Sequence, residues 1–341
     1  MPVASSPSGT RARAALLLPA IMILLVGCTM QRTAPTSIPT EPLATVQLAT
    51  PTSPPVPSLF ILVAPGAADL RIAAQAELAL QKLATGVDAE FVRQDSLPVG
   101  DPATIMLLVA LSPDPGLQSW AGSNPSVQTA SLGIVGLQAT ANLSLLAPDG
   151  IRYDQLGFAL GYLAAMVTPE YRLGALALEA SAEHLALARG FVAGGTYYCG
   201  LCRPVHPPYE AYPVLFQAPG GELASSGVKT FLVSPPPLSL ADLGLNTGPD
   251  LAFLGPDDPF SDLAPSWIAS ADFEVSEGLE ALWTQVQTGP GGMVLPLGIR
   301  IHRVDPARVS EGRLALAEAL LEDLVEGRID TGVDPLTGEL R

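Results

Sequence analysis

Lysine is nearly absent from this chain of 341 residues, which contains only Lys82 and Lys229. Lysine and arginine together number 17 against 33 acidic residues, and the formal net charge is −16 at pH 7. Such a chain lacks the basic surface that attracts phosphate backbones or anionic lipid headgroups. The composition argues against a nucleic-acid-binding protein and against membrane adhesion through a basic patch.

Sequence patterns that carry catalysis are also missing. There is no GxSxG elbow, no GxxxxGK[ST] loop, no HExxH motif and no GxGxxG after a predicted strand. The three histidines and the scattered acidic residues form no constellation. We therefore expect a protein that is not an enzyme and that holds no cofactor or metal ion.

Two of the three cysteines form a CxxC motif, Cys199 and Cys202, with His206 four residues beyond. A structural zinc site needs four ligands, and the chain has no second cysteine pair to supply them. Outside the cytoplasm a local disulfide is the commoner state of such a motif. We predict a Cys199–Cys202 disulfide, with zinc binding and free thiols as the alternatives.

The N-terminus has the pattern of a secretion signal. Arg11 and Arg13 precede an apolar run over residues 14–27, which is shorter than the roughly 20 residues that span a bilayer. The run ends in Leu-Val-Gly-Cys28, which resembles a bacterial lipobox. The resemblance implies removal of residues 1–27 and a lipid on the Cys28 sulfur. We predict a lipid-anchored protein on the extracytoplasmic face of the cell membrane, with an uncleaved anchor as the alternative.

Residues 28–57 are predicted to be a tether. Positions 29–57 hold seven prolines and seven threonines and almost no charge. A segment of this composition cannot bury enough apolar surface to offset the entropy of ordering it. We expect an extended spacer, rising about 3 Å per residue, that lifts the folded part off the membrane.

Strand and helix patterns alternate from residue 58 onward, which indicates parallel sheets covered by helices on both faces. Residues 58–65 are continuously apolar, as in a strand buried on both faces. Residues 152–167 are apolar nearly all round and carry Gly157 and Gly161 one turn apart. We predict a buried helix there that a second backbone approaches closely.

Further elements are predicted downstream. We expect a helix from residue 182 that ends at Gly194, one strand over residues 294–302, and a last helix over about residues 307–326. Asp154 is expected to cap the buried helix, with its carboxylate accepting backbone N–H groups.

The stretch DQLGFALGYLAAMVTPEYRLGALAL, residues 154–178, resembles the helix–strand signature of the basic membrane protein family of substrate-binding lipoproteins, the PnrA-like nucleoside-binding group. The matching positions are Asp154, Phe158, Gly161, Tyr162, Leu163, Ala164, Ala165 and Thr168. Weaker matches follow in the same order at Gly190, Phe191 and Gly194, at residues 255–258 and at residues 320–333. The resemblance covers roughly residues 58–334.

This resemblance implies an α/β architecture, the type I periplasmic-binding-protein fold, with two doubly wound lobes joined by three crossovers. Lobe 1 would contain residues 58–152 and 268–290, and lobe 2 would contain residues 153–267 and 291–334. It also implies a solute-binding protein that encloses a small-molecule ligand, usually a nucleoside, between the lobes and delivers it to an ABC permease.

Four residues are candidate ligand contacts. Cleft ligands of open α/β sheets lie outside the carboxyl ends of the strands, where Asp69 and Asp257 are expected. Asp257 could accept two sugar hydroxyls, although an aspartate after Gly-Pro is also common in turns. Phe216 and Phe273 could stack on a planar ligand, with burial in the core as the alternative.

The chain also departs from the family at its ligand contacts. The loop after the first strand has no asparagine, and Phe273 stands where the family has a lysine. The ligand is therefore predicted to be nucleoside-like or another small polar metabolite. The alternative is a diverged surface lipoprotein that acts as a sensor or structural component without binding nucleosides.

Overall fold

The computed structural model describes residues 58–100, 102–177, 181–199, 211–217, 223, 225–233, 241, 251–256 and 262–341. The predicted signal segment, the lipidation site Cys28 and the tether lie outside these residues, as do Asp257 and Cys202. Among the described residues, no helix is both long enough and apolar enough to cross a membrane.

Strands and helices alternate through the described part of the chain. The strands are β1 (Leu59–Val63), β2 (Glu90–Gln94), β3 (Ile105–Leu111), β4 (Gln128–Leu132), β5 (Leu143–Leu146), β6 (Leu173–Leu176), β7 (Val214–Phe216), β8 (Thr230–Val233), β9 (Ala252–Gly255), β10 (Trp267–Phe273), β11 (Val294–Leu295) and β12 (Ile299–His302). The helices are α1 (Leu70–Gly86), α2 (Leu117–Ser123), α3 (Tyr153–Val167), α4 (Ala182–Tyr198), α5 (Val275–Thr288) and α6 (Glu311–Val325).

The strands form two six-stranded sheets, each at the centre of one lobe. Their orders are β2-β1-β3-β4-β5-β11 in lobe 1 and β7-β6-β8-β9-β10-β12 in lobe 2. Pairing is parallel in both sheets except that β12 runs antiparallel to β10. In register, Leu62 of β1 lies opposite Arg93 and Val109. The order reverses beside β1 and beside β6, so each sheet is doubly wound, as predicted.

The chain passes between the lobes three times, after β5, after β10 and after β11, as predicted. The predicted lobe limits need two corrections. β10 was expected in lobe 1 but pairs with β9 and β12 in the second sheet. The single strand expected over residues 294–302 is two strands, because β11 pairs with β5 in lobe 1 and β12 with β10 in lobe 2. Pro296, which has no N–H for a ladder, stands at this crossing.

Helix α3 is buried as predicted: all of its 15 residues except Tyr162 and Val167 are buried. Its two glycines lie against the backbone of α4. A Cβ placed on Gly157 would be 2.0 Å from the Leu187 carbonyl oxygen, and one on Gly161 would be 2.0 Å from that of Phe191. No side chain larger than hydrogen fits at either distance.

Helix α4 supplies the reciprocal glycines. A Cβ on Gly190 would be 2.2 Å from the Asp154 carbonyl oxygen, and one on Gly194 would be 1.9 Å from that of Phe158. The helix therefore continues through Gly194, where the sequence predicted its end, because this glycine serves close packing and not termination. Cys199, which follows α4, is disulfide-bonded.

Asp154 does not cap α3, contrary to expectation. The N-cap position is Arg152, and no side chain caps the helix there. The buried Asp154 carboxylate accepts two hydrogen bonds of 2.8 Å from the Arg152 guanidinium and one of 2.6 Å from the Thr331 hydroxyl. A two-pronged bond from a charged guanidinium is stronger than a bond from a neutral N–H. The Asp154 hydrogen bond in turn raises the pKa of Arg152.

Candidate functional site

Residues that follow strands of both sheets line two adjoining cavities between the lobes. The larger is about 440 Å³ and the smaller about 150 Å³. Their walls share Ala67 and Asp69 from lobe 1 and Tyr153 and Glu183 from lobe 2. We call this space the cleft. It has the size and the position of a small-molecule site in an α/β protein.

Asp69 lies in the cleft wall, but its carboxylate is already occupied. It caps α1, with one oxygen accepting the backbone N–H groups of Arg71 at 2.9 Å and Ile72 at 3.2 Å. The other oxygen accepts the hydroxyl of Tyr153 from lobe 2. Asp69 thus both starts α1 and links the two lobes.

Tyr153 is buried, with 8% of its surface exposed. Its ring stands edge-on to Phe273, with 5.1 Å between the ring centroids. Burial, followed by the adjacent Asp69 carboxylate, holds the pKa of Tyr153 well above its usual value. The phenol therefore remains a hydrogen-bond donor to Asp69 over the physiological pH range.

Tyr153→Phe is expected to lessen the loss of stability at alkaline pH. An unfolded tyrosine ionises near pH ~10, whereas the folded Tyr153 keeps its proton because its pKa is raised. Unfolding above that pH releases a proton, which lowers stability by about 1.4 kcal/mol per pH unit. Urea unfolding from about pH 9 to about pH 11 should show a shallower decline for the variant than for the wild type.

The matched control is Tyr197→Phe, since the Tyr197 ring is 55% exposed at the outer end of α4. This control should keep the slope of the wild type. Identical slopes for Tyr153→Phe and the wild type would contradict the role assigned to the buried phenol.

A second link between the lobes joins α1 to β10. The Arg71 guanidinium lies 2.9 Å from Asp272 and also donates to the carbonyls of Pro256 and Ala271. Gln75 donates to the other Asp272 carboxylate oxygen over 2.5 Å. Because Asp272 neutralises Arg71, the charge that this wall shows to the cleft is small.

The first turn of α4 forms the opposite wall. Ser181 is its N-cap and accepts the backbone N–H of His184 at 3.3 Å, while its hydroxyl lies 2.9 Å from His184 Nδ1. Glu183 is exposed beside them in the cleft. The Ser181 hydroxyl and the Glu183 carboxylate give this wall hydrogen-bond acceptors, which suit a ligand that carries hydroxyl or amino donors.

The structure brings only part of the predicted site together. Asp69 lies in the cleft, and Asp257 is outside the described residues, although the preceding Pro256 reaches the cleft wall. Phe216 and Phe273 are each 4% exposed. Phe216 packs near Gly174, and Phe273 packs behind Tyr153, so both rings belong to the core of lobe 2 in this conformation.

Sequence reasoning did not single out Arg71, Tyr153, Ser181, Glu183 or His184. A sequence pattern could have identified Ser181, Glu183 and His184, because Ser181 and the residues after it begin a helix that follows a strand. The partners of Arg71 and Tyr153 lie far away in the sequence, and no local sequence pattern predicts such contacts. Within the described residues, no group of acidic, histidine or cysteine side chains is arranged to hold a metal ion.

No protein-family model matches the chain, and no curated protein matches it either. Solved structures do match. An ABC transporter solute-binding protein from Conexibacter woesei has a TM-score of 0.54 and 16% identity, covering 81% of this chain and 98% of that protein. A second such protein, from Aeropyrum pernix K1, has a TM-score of 0.49 and 16% identity, covering 81% and 93%.

A transcriptional activator from Bacillus halodurans is also similar, with a TM-score of 0.47 and 13% identity, covering 80% of this chain and 99% of that protein. A likeness at 16% identity shows the fold alone. The Conexibacter match agrees with the two doubly wound sheets and three crossings described above. The chain therefore has the type I periplasmic-binding-protein fold.

Proposed function

We propose that this chain is an extracytoplasmic solute-binding lipoprotein of an ABC importer and not an enzyme. The observation that carries the proposal is the cleft, about 440 Å³ in its larger part and walled by residues of both lobes. A site built half on each lobe binds best when the lobes are closed, so its occupancy can be read by a partner that recognises the closed form. Delivery to a membrane permease requires that property.

Closure has a physical basis in the contacts between the lobes. The Asp69–Tyr153 bond and the Arg71–Asp272 ion pair both join α1, or the residue that caps it, to lobe 2. A ligand in the cleft would add contacts to both walls at once. Its binding energy then favours the closed state by the difference in affinity between the closed and open forms.

The ligand proposed is nucleoside-like or another small polar metabolite. Acceptors on Ser181 and Glu183 suit the hydroxyl groups of a sugar. The resemblance to the basic membrane protein family supports a nucleoside. The lipobox-like sequence before Cys28 and the tether over residues 28–57 support anchoring at the extracytoplasmic face.

A specific observation favours a second candidate. It is a diverged surface lipoprotein that acts as a sensor or structural component and does not bind nucleosides. Both carboxylate oxygens of Asp69 are engaged within the protein, and Phe273, which replaces the family's lysine, is buried. A ligand would have to displace the Tyr153 hydroxyl to use Asp69. Such a cleft could stay closed without a nucleoside.

Thermal unfolding of the mature chain with a panel of nucleosides, sugars and amino acids distinguishes the two candidates. Ligand at about a hundred times its Kd stabilises by about 2.7 kcal/mol, which for a chain of this size raises Tm by roughly 4 °C. A saturable rise with one chemical class supports the transport protein. A well-folded sample that responds to no compound in the panel would support the second candidate.

The cleft variant for this experiment is Glu183→Gln, and its matched control is Glu311→Gln. Both glutamates are exposed and lie in the first turn of a helix, so their substitutions disturb the helix dipole alike. Only Glu183 lines the cleft. We expect Glu183→Gln to reduce the ligand-dependent rise in Tm and Glu311→Gln to preserve it. Equal responses would place the ligand elsewhere.

A further inference from the structure

Residues 333–340, near the C-terminus, form a turn that we call the C-terminal hairpin. An antiparallel bridge joins Val333 to Leu340 at its base. At its tip the Asp334 carboxylate accepts the backbone N–H groups of Thr337 at 3.0 Å and Leu336 at 2.9 Å. These hydrogen bonds lower the pKa of Asp334 and fix the shape of the turn.

The hairpin is fastened to lobe 2 at Gly338. This glycine has a left-handed φ of +70°, and a Cβ there would lie 2.7 Å from the backbone nitrogen of Ala186 in α4. Arg189 of α4 donates to the Gly338 carbonyl over 2.7 Å. The hairpin backbone thus lies against α4 with no room for a side chain between them, and the Arg189 hydrogen bond holds it there.

The tip of the hairpin reaches lobe 1. A Cβ on Gly150 would lie 3.2 Å from the Leu336 side chain of the hairpin and 3.4 Å from the Val135 side chain of lobe 1. Two large apolar side chains therefore come together above Gly150, although Leu336 is 55% and Val135 46% exposed. Pro335 and Leu336 also line the 150 Å³ part of the cleft, together with Asp69 and Tyr153.

We propose that the C-terminal hairpin forms one wall of the binding cleft, with Leu336 as the apolar contact that closes it against lobe 1. The hairpin moves with α4, so opening of the lobes separates Leu336 from Gly150 and Val135, and closing restores the contact. A ligand in the smaller part of the cleft meets Pro335 and Leu336. Leu336 thus selects ligands that present an apolar edge on this side.

This inference deepens the proposed function, and the selection of ligands by Leu336 rests on that function. The contact that closes the cleft can be tested without a ligand. The experiment is amide hydrogen exchange on the ligand-free mature chain, comparing the wild type with Leu336→Asp. The amides to follow are Gly133, which donates to Leu146 over 2.9 Å, and Gly150, which donates to Ala147 over 3.1 Å. Both line the cleft beneath the hairpin.

Loss of the apolar contact is expected to speed exchange of the Gly133 and Gly150 amides by roughly threefold or more, because the hairpin then covers this part of lobe 1 less of the time and water reaches their hydrogen bonds. Leu336→Met should keep the wild-type rates. Leu316→Asp is the matched control, since Leu316 is a leucine with 57% exposure on α6. Equal exchange in Leu336→Asp and the wild type would overturn the proposal. Failure of the ligand panel would leave this result unchanged, so the two failures can be told apart.

Discussion

Gly194→Ala is expected to destabilise the protein by about 3 kcal/mol or more. The added methyl group would lie 1.9 Å from the Phe158 carbonyl oxygen of α3, a distance that forces the two helices apart. Gly194 is inside α4, where alanine is otherwise favoured over glycine by roughly 0.5–1 kcal/mol. The destabilisation caused by the steric clash must exceed this gain in helix propensity. Urea unfolding of the mature chain measures the loss directly.

The control is Gly312→Ala, near the start of α6, where an added Cβ would meet nothing within 4 Å. This substitution should be neutral or stabilise by up to about 1 kcal/mol, because only the helix propensity changes. Only Gly194→Ala is therefore expected to destabilise the protein. A loss below about 1 kcal/mol for Gly194→Ala would mean that α3 and α4 can separate at little cost.

The same pair of helices shows where sequence reasoning succeeds and where it stops. Gly157 and Gly161, one turn apart in an otherwise apolar helix, predicted a close approach by another backbone, and that approach exists. The sequence pattern does not identify α4 as the partner, because Gly194 in that pattern predicts the end of the helix. A glycine in a helix pattern can mark either termination or contact, and only the position of the facing helix decides between them.

Strand patterns show a similar limit. The continuous apolar run that contains β1 predicted a strand buried on both faces, and four of its five residues are buried. The apolar pattern over residues 294–302 predicted one strand, yet β11 and β12 belong to different sheets. Periodicity records which residues are buried but not which sheet buries them.

The cleft depends on contacts that no local pattern contains. The position of Asp69 was predictable, because a residue that follows β1 in the sequence must lie near the carboxyl end of that strand. Its partner Tyr153 is 84 positions further along the chain, and Asp272 is 201 positions from Arg71. Such pairs form where the two lobes meet in the folded chain. A sequence read by itself carries no measure of that geometry.

Asp154→Ala is expected to cost about 3–5 kcal/mol of stability. The Asp154 carboxylate is fully buried and is held by Arg152 and Thr331, at the first crossing between the lobes. Its removal leaves the Arg152 guanidinium, whose side chain is 27% exposed, without its bidentate partner. It also releases Thr331 near the base of the C-terminal hairpin. Urea unfolding at neutral pH measures the loss.

Two further substitutions separate the sources of this loss. Asp323→Ala, which removes the exposed Asp323–Arg328 pair at 2.6 Å, should cost less than about 1 kcal/mol because water screens that pair. Arg152→Ala combined with Asp154→Ala should cost less than the sum of the single substitutions, since no unpaired charge is then left behind. Strict additivity would show that Arg152 and Asp154 stabilise the crossing independently. A loss of stability in the double variant that is smaller than this sum would show that the chain keeps Asp154 here mainly because Arg152 is half-buried beside it.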